Sequence, residues 1–114
     1  MKLPIVQLAE QQLAAYNAHD LDAFCACYHP EVRVFFGEEP DIEGIEEFRE
    51  RYADKFDRGG FGATVPRRLS LGAHCVDEEH WWTLDGDSGE RREGVLLVRY
   101  VERDGRIGLV QFLD

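Results

Sequence analysis

A change of period halfway along the chain constrains its fold more than any other feature. Before Gly59-Gly60-Phe61-Gly62, apolar residues recur at three- and four-residue spacing. After it they come in short β-branched and aromatic runs separated by turn chemistry. Helices followed by strands, rather than the two in alternation, point to an α+β protein. With 114 residues there is room for one domain, residues 1–114, long enough to bury its own core.

Val6, Ala9, Leu13 and Tyr16 form one apolar face of a helix from Pro4 to Ala18. Asn17 sits near its end, and Asp20 is placed to cap a second helix from Leu21 to about His29, whose stripe is Leu21, Phe24, Cys25 and Tyr28. Pro30 stops that helix, and Val32–Phe36 reads as a strand followed by an acidic turn region from Gly37 to Gly44. A third helix begins near Gly44, with Glu46 and Glu47 at the positive end of its dipole and Ile45, Phe48, Tyr52 and Phe56 along one face. Four strands complete the chain: Val65–Leu71, Ala73–Leu84, Arg92–Val101 and Ile107–Leu113. Turns at Asp85–Gly89 and Asp104-Gly105 fold the last three antiparallel.

Both faces of that sheet are apolar. Val95, Leu97 and Val101 share one parity, and Leu96, Val98 and Tyr100 the other. Burying each Val or Leu is worth roughly 1.5 to 3 kcal/mol, and three short helices cover one face only. A homodimer formed through the outer sheet face is the expected cover for the rest.

The formal charge of -10 comes from 23 acids against 13 bases, and residues 38–57 hold nine acids and three bases. Such a field repels phosphate backbones, so nucleic acid is not an expected partner. No apolar run is long enough for a membrane helix, and Met1-Lys2-Leu3-Pro4 carries no secretion pattern, which gives a cytoplasmic expectation. Three cysteines cannot all pair. The histidines lack metal-site spacing, so no metal and no cofactor is expected.

Chemistry concentrates in Cys75–Leu84, where Asp77, Glu78, Glu79 and His80 meet Trp81 and Trp82. In a strand, Asp77, Glu79 and Trp81 share one side, while Glu78, His80 and Trp82 share the other. A carboxylate turned into an apolar cavity has its pKa raised toward the range useful for proton transfer, so the parity that faces the cavity decides which of these acids can act. A turn closing around Asp87 sets Asp77 opposite Leu97, Glu79 opposite Val95 and Cys75 opposite Arg99, which makes Trp81 and Arg99 neighbours of those acids. Tyr16, Tyr28 and Tyr52 each end or punctuate an apolar stripe. Their hydroxyls, with Phe56 on the face of Tyr52, are candidate ligand contacts.

The order helix, helix, strand, helix, meander, together with Tyr16-Asn17-Ala18-His19-Asp20-Leu21-Asp22, Gly44-Ile45-Glu46-Glu47-Phe48 and Arg103-Asp104-Gly105-Arg106-Ile107, resembles the NTF2-like superfamily, in its SnoaL-like and ketosteroid-isomerase-like branch. The resemblance implies a cone: three helices packed on a strongly curved, mainly antiparallel sheet, with an apolar cavity between them, in a dimer. Val76-Asp77-Glu78-Glu79 is similar to an acidic motif of the SnoaL-like branch, and that resemblance makes Asp77 and Glu79 the candidate catalytic acids. The ketosteroid isomerase positions, a tyrosine, an aspartate and a late-strand acid, fall here at Gln12, near Phe36, and among Leu96 and Leu97, so that reaction is disfavoured. Three readings follow: a cofactor-free acid/base isomerase, dehydratase or cyclase acting on a small apolar carbonyl compound, a non-catalytic binder of a small hydrophobic molecule, or a dimeric interaction module with a vestigial cavity.

Overall fold

The structure is a computed structural model and describes residues 4–113. The reading of Met1-Lys2-Leu3 as non-secretory lies outside the described residues. Helix α1 is Ile5–Asn17, and its fully buried stripe is Ile5, Leu8, Ala9, Gln12 and Ala15. That stripe is rotated from the expected one, which leaves Leu13 and Tyr16 half-buried on the flank. Helix α2 is Leu21–Ala26, and Asp20 caps it by accepting the Ala23 N–H at Oδ1, 3.1 Å away.

Helix α2 stops three residues before the expected end. Tyr28 opens strand β1, Tyr28–Phe36, by pairing with Ile107, and Ile107 N–H donates to Cys27 O at 2.8 Å. Sheet hydrogen bonds thus replace what would have been another helical turn, and Pro30 falls where the register of the strand is interrupted. The expected acidic turn region is also corrected. Gly37, at φ 59°, makes a tight turn, and Glu39–Glu43 returns as strand β2 antiparallel to β1. Its acids and Pro40 hide it in the sequence, and they suit its place at the edge of the sheet, where an unpaired N–H row invites unwanted pairing.

Helix α3, Ile45–Arg58, lies between β2 and strand β3, Phe61–Leu71. Strands β4 (His74–Leu84), β5 (Arg91–Arg103) and β6 (Arg106–Phe112) follow. The six strands form one mixed sheet in the order β2-β1-β6-β5-β4-β3, in which only β1 and β6 run parallel. One sheet face packs on the helices: Val34, Val98 and Val110 join Leu8, Phe24, Phe48 and Phe56 in one buried cluster. No helix of the described residues is long and apolar enough to cross a membrane.

An irregularity in β3 decides which of its side chains face inward. Strand β3 shifts register between Thr64 and Arg67, around Pro66, so Ala63 pairs with Trp81 but Arg68 pairs with Asp77. The bulge turns Arg68 rather than Arg67 to the inner face. At the other end, the connection between α1 and α2 is clamped onto β3. Asn17 bonds Ala63 in both directions, at 2.9 and 2.8 Å, and His19 Nε2 lies 2.9 Å from Phe61 O. His19 holds φ 56° there, with its ring tilted over Phe61 at 4.2 Å.

Candidate functional site

The sheet and helices enclose a cavity of about 500 Å³. Its base is aromatic: Phe24, Tyr28, Phe48 and Tyr52 pack with ring centroids 4.3 to 5.6 Å apart. Tyr16 and Leu13 close it from α1, while Leu96, Val110 and Phe112 close it from the sheet. Phe36 is exposed, stacks on Phe112 and marks the mouth, beside Arg51 held by Asp41 in a two-pronged ion pair.

The parity question of strand β4 is resolved by its partner. Glu79 pairs with Leu96, Trp81 with Gly94, Asp77 with Val98 and Cys75 with Tyr100. Thus Asp77, Glu79 and Trp81 do share the inner face, but the register differs by one residue from the expected pairing with Leu97, Val95 and Arg99. Asp85 is the cause. Its Oδ1 accepts the N–H groups of Asp87 and Ser88, and its main chain bonds Glu90, so the turn centres between Asp87 and Ser88 rather than on Asp87.

That single step relocates Arg99. It lies on the outer face opposite Gln111, to which it donates at 3.0 Å, and it also contacts His74, so it is not a cavity residue. Phe56 is corrected too: it is buried behind the cavity among Tyr16, Phe24 and Phe61 and does not line it. Asp77, 1% exposed, also lies outside the lining. Both its oxygens are taken by Arg68, Nε at 2.7 Å and Nη2 at 3.0 Å, and Cys75 Sγ sits 3.3 Å from Oδ1. A carboxylate held this way, outside the cavity lining, anchors an ion pair. Burial and that neighbouring carboxylate push the Cys75 thiol up to about 12, so it is an inert thiol.

Glu79 is different. It lines the cavity with Tyr16, Tyr28, Tyr52 and Trp81, and its carboxylate makes no hydrogen bond or ion pair among the described residues. Burial raises its pKa above the ordinary glutamate value. Lys55 on α3 opposes the shift, and the charge of Asp77 adds to it. Burial also raises the pKa of Tyr16 and Tyr52, with the Glu79 charge contributing to both, so all three groups share one field.

Two groups of the site were not legible in the sequence. Tyr100, on the inner face of β5, lines the cavity at the end of a relay: the Tyr28 hydroxyl donates to Gln12 Oε1 at 3.0 Å, and Gln12 Nε2 donates to the Tyr100 oxygen at 3.3 Å. The Tyr100 proton has no acceptor among the described residues, so it is available to a ligand. Lys55 is the second, its Nζ 5.0 Å above the Tyr16 ring and 5.1 Å above Phe61. The available signal was its place three residues after Tyr52, on the edge of the apolar face of α3. Among the described residues, no three His, Cys, Asp or Glu side chains gather as a metal site.

A family model described as a SnoaL-like domain matches residues 9–109. A comparison with curated proteins finds no match. Among solved structures, an uncharacterized cystatin fold protein from Novosphingobium aromaticivorans superposes with a TM-score of 0.88 at 20% identity, covering 98% of this chain and 99% of that one. An LEH-like epoxide hydrolase of M. tuberculosis gives 0.82 at 20% identity, over 94% of this chain and 79% of that one. A putative polyketide cyclase from Pseudomonas putida gives 0.75 at 18% identity, over 98% and 92%. At these identities the likeness concerns the fold.

Proposed function

Because this chain belongs to the SnoaL-like domain family, whose model spans most of its length, we propose that it binds a small apolar carbonyl compound and turns it over by cofactor-free acid/base chemistry. Isomerisation, dehydration and cyclisation are the reactions this chemistry serves. The similar folds of a protein described as a polyketide cyclase and one described as an LEH-like epoxide hydrolase are in keeping with it. In this reading the helices and the six-stranded sheet form the strongly curved cone of the NTF2-like superfamily, residues 1–114 are one domain, and the chain is a cytoplasmic homodimer joined through its outer sheet face.

One observation carries the proposal: an unpaired carboxylate, Glu79, in an aromatic cavity that raises its pKa. A base of that kind takes a proton from carbon beside a carbonyl more readily than a water-facing glutamate. Tyr100 is the donor to the developing enolate oxygen, held in place by Gln12 and Tyr28. The reading thus keeps acid/base chemistry and discards the ketosteroid isomerase residue set, since Gln12 serves as a link in the relay.

Hydrogen–deuterium exchange at C1 of 2-tetralone, an enolisable aryl-fused ketone, tests this directly. Wild-type protein accelerates the exchange, and Glu79→Gln lowers that acceleration about 10²-fold or more. Equal exchange by both proteins would remove Glu79 as the base. Tight 2-tetralone binding without exchange would favour the binder reading.

A further inference from the structure

We propose that Lys55 is a second reactive group of this cavity, a nucleophile whose ε-amine condenses with an aldehyde or unhindered ketone to give an iminium. The inference rests on the reading of the cavity as a carbonyl site and deepens it, adding a covalent step that needs no cofactor.

The choice of cations points to it. Of the 13 basic residues, only Lys2 and Lys55 are lysines. Arginines form the ion pairs with Asp22, Asp41, Asp54, Glu78 and Glu31. Arginine stays protonated wherever it sits, whereas an ammonium gives up its proton when it loses water. The cavity holds one of each, a helical turn apart: Arg51 is engaged by Asp41, while Lys55 Nζ has no hydrogen bond or ion pair among the described residues. The Lys55 ammonium rests on the Tyr16 and Phe61 rings instead, and burial lowers its pKa. A larger share of it is therefore neutral amine than in a water-facing lysine.

Glu79, which lines the same cavity, supplies the partner for the protons: burial favours the neutral form of both groups, against the mutual attraction of their charges. The neutral amine attacks the carbonyl carbon, forming C–N while the C=O π pair moves to oxygen. Protonated Glu79 gives its proton to that oxygen and recovers one from the new ammonium, leaving a carbinolamine. Glu79 then protonates the hydroxyl and water leaves. The nitrogen lone pair closes the C=N bond, so the products are an iminium, a glutamate anion and one water. No electrons change hands, and no group outside the cavity is required.

The test uses 2-naphthaldehyde, which has no α-hydrogen and so does not report enolisation by Glu79. Wild-type protein is incubated with it and sodium cyanoborohydride, whose hydride reduces the iminium to a stable secondary amine, and intact mass and peptide mapping locate the naphthylmethyl group. The expected result is labelling of Lys55 at least about tenfold faster than Lys2, because more of the Lys55 side chain is neutral amine. Lys55→Met and Lys55→Arg lose that label while Lys2 is modified as before, and Glu79→Gln slows the reaction at Lys55. Equal labelling of both lysines, or a mass gain unchanged in Lys55→Met, overturns the proposal. Quenching of Trp81 by the aldehyde with no adduct at Lys55 also overturns it while leaving the acid/base reading in place. Absence of both quenching and adduct overturns it as well, and exchange of 2-tetralone then decides the acid/base reading separately.

Discussion

Trp81 lies across Gly94: a β-carbon added to Gly94 would stand 2.8 Å from the indole Nε1 and closer still to the neighbouring ring carbons. The two residues are register partners on β4 and β5, and the missing side chain is what lets the indole lie flat along the cavity wall. Gly94→Ala should therefore push Trp81 out of place and cost roughly 1 to 3 kcal/mol through overpacking. Urea unfolding followed by tryptophan emission reads the stability loss, and weaker quenching by 2-naphthaldehyde reads the change in the wall. An unaltered emission spectrum and affinity would mean that the indole has room elsewhere.

Asp77 and Arg68 form a second inward pair, and it has a structural role. Removing one partner of a buried ion pair leaves the other charge uncompensated, which costs about 3 to 5 kcal/mol. Arg68→Met should accordingly destabilise the fold by that order, and the double variant Arg68→Met/Asp77→Leu should recover much of the loss. Measured by denaturant titration, a double variant no better than the single would show that the pair is not the unit that matters.

These two pairs also explain how much of the molecule the sequence disclosed. The helical half, the meander and the shared inner face of Asp77, Glu79 and Trp81 follow from local period, which each residue carries on its own. Which partner faces Glu79 depends on one hairpin, and there Asp85 holds two N–H groups and moves the centre of the turn by half a residue. A shift that small exchanged Tyr100 for Arg99 in the cavity. Strand β2 was hidden for a related reason: its acids and Pro40 read as loop until β1 supplies the ladder. Long-range pairing has no local signature.

The raised pKa of Glu79 has a sign that can be checked. Its folded value lies above the unfolded one, so between the two the folded state binds more protons, and stability falls as pH rises through that window. Glu79→Gln removes the penalty. It should unfold at a higher temperature than wild type near neutral pH, with the gain shrinking as pH falls to the ordinary glutamate range. Exchange of 2-tetralone should follow the opposite course, rising with pH through the same folded value as the carboxylate forms. A gain in stability that is independent of pH would break the link to titration of Glu79.

The relay separates two tyrosines that look alike in sequence. Tyr28→Phe leaves buried Gln12 Oε1 without its donor, a loss of about 1 to 3 kcal/mol in stability. Tyr100→Phe removes the proton offered to the ligand, so exchange of 2-tetralone should fall about 10²-fold with a smaller effect on unfolding. Kinetics and denaturation of the two variants side by side distinguish them, and a Tyr100→Phe protein with wild-type exchange would remove it as the donor.

The outer sheet face presents the remaining problem of burial. Leu71 is 83% exposed, Leu69 75% and Val95 61%, on the side opposite the cavity. A second copy of the chain would bury these side chains. On that account the protein sediments at twice the 13.1 kDa chain mass, and Leu69→Lys/Val95→Lys sediments as a monomer that keeps its helical circular dichroism. Because neither position lines the cavity, the monomer should still bind 2-naphthaldehyde. Sedimentation of wild-type protein as a monomer at tens of micromolar would show that this face stays open to solvent.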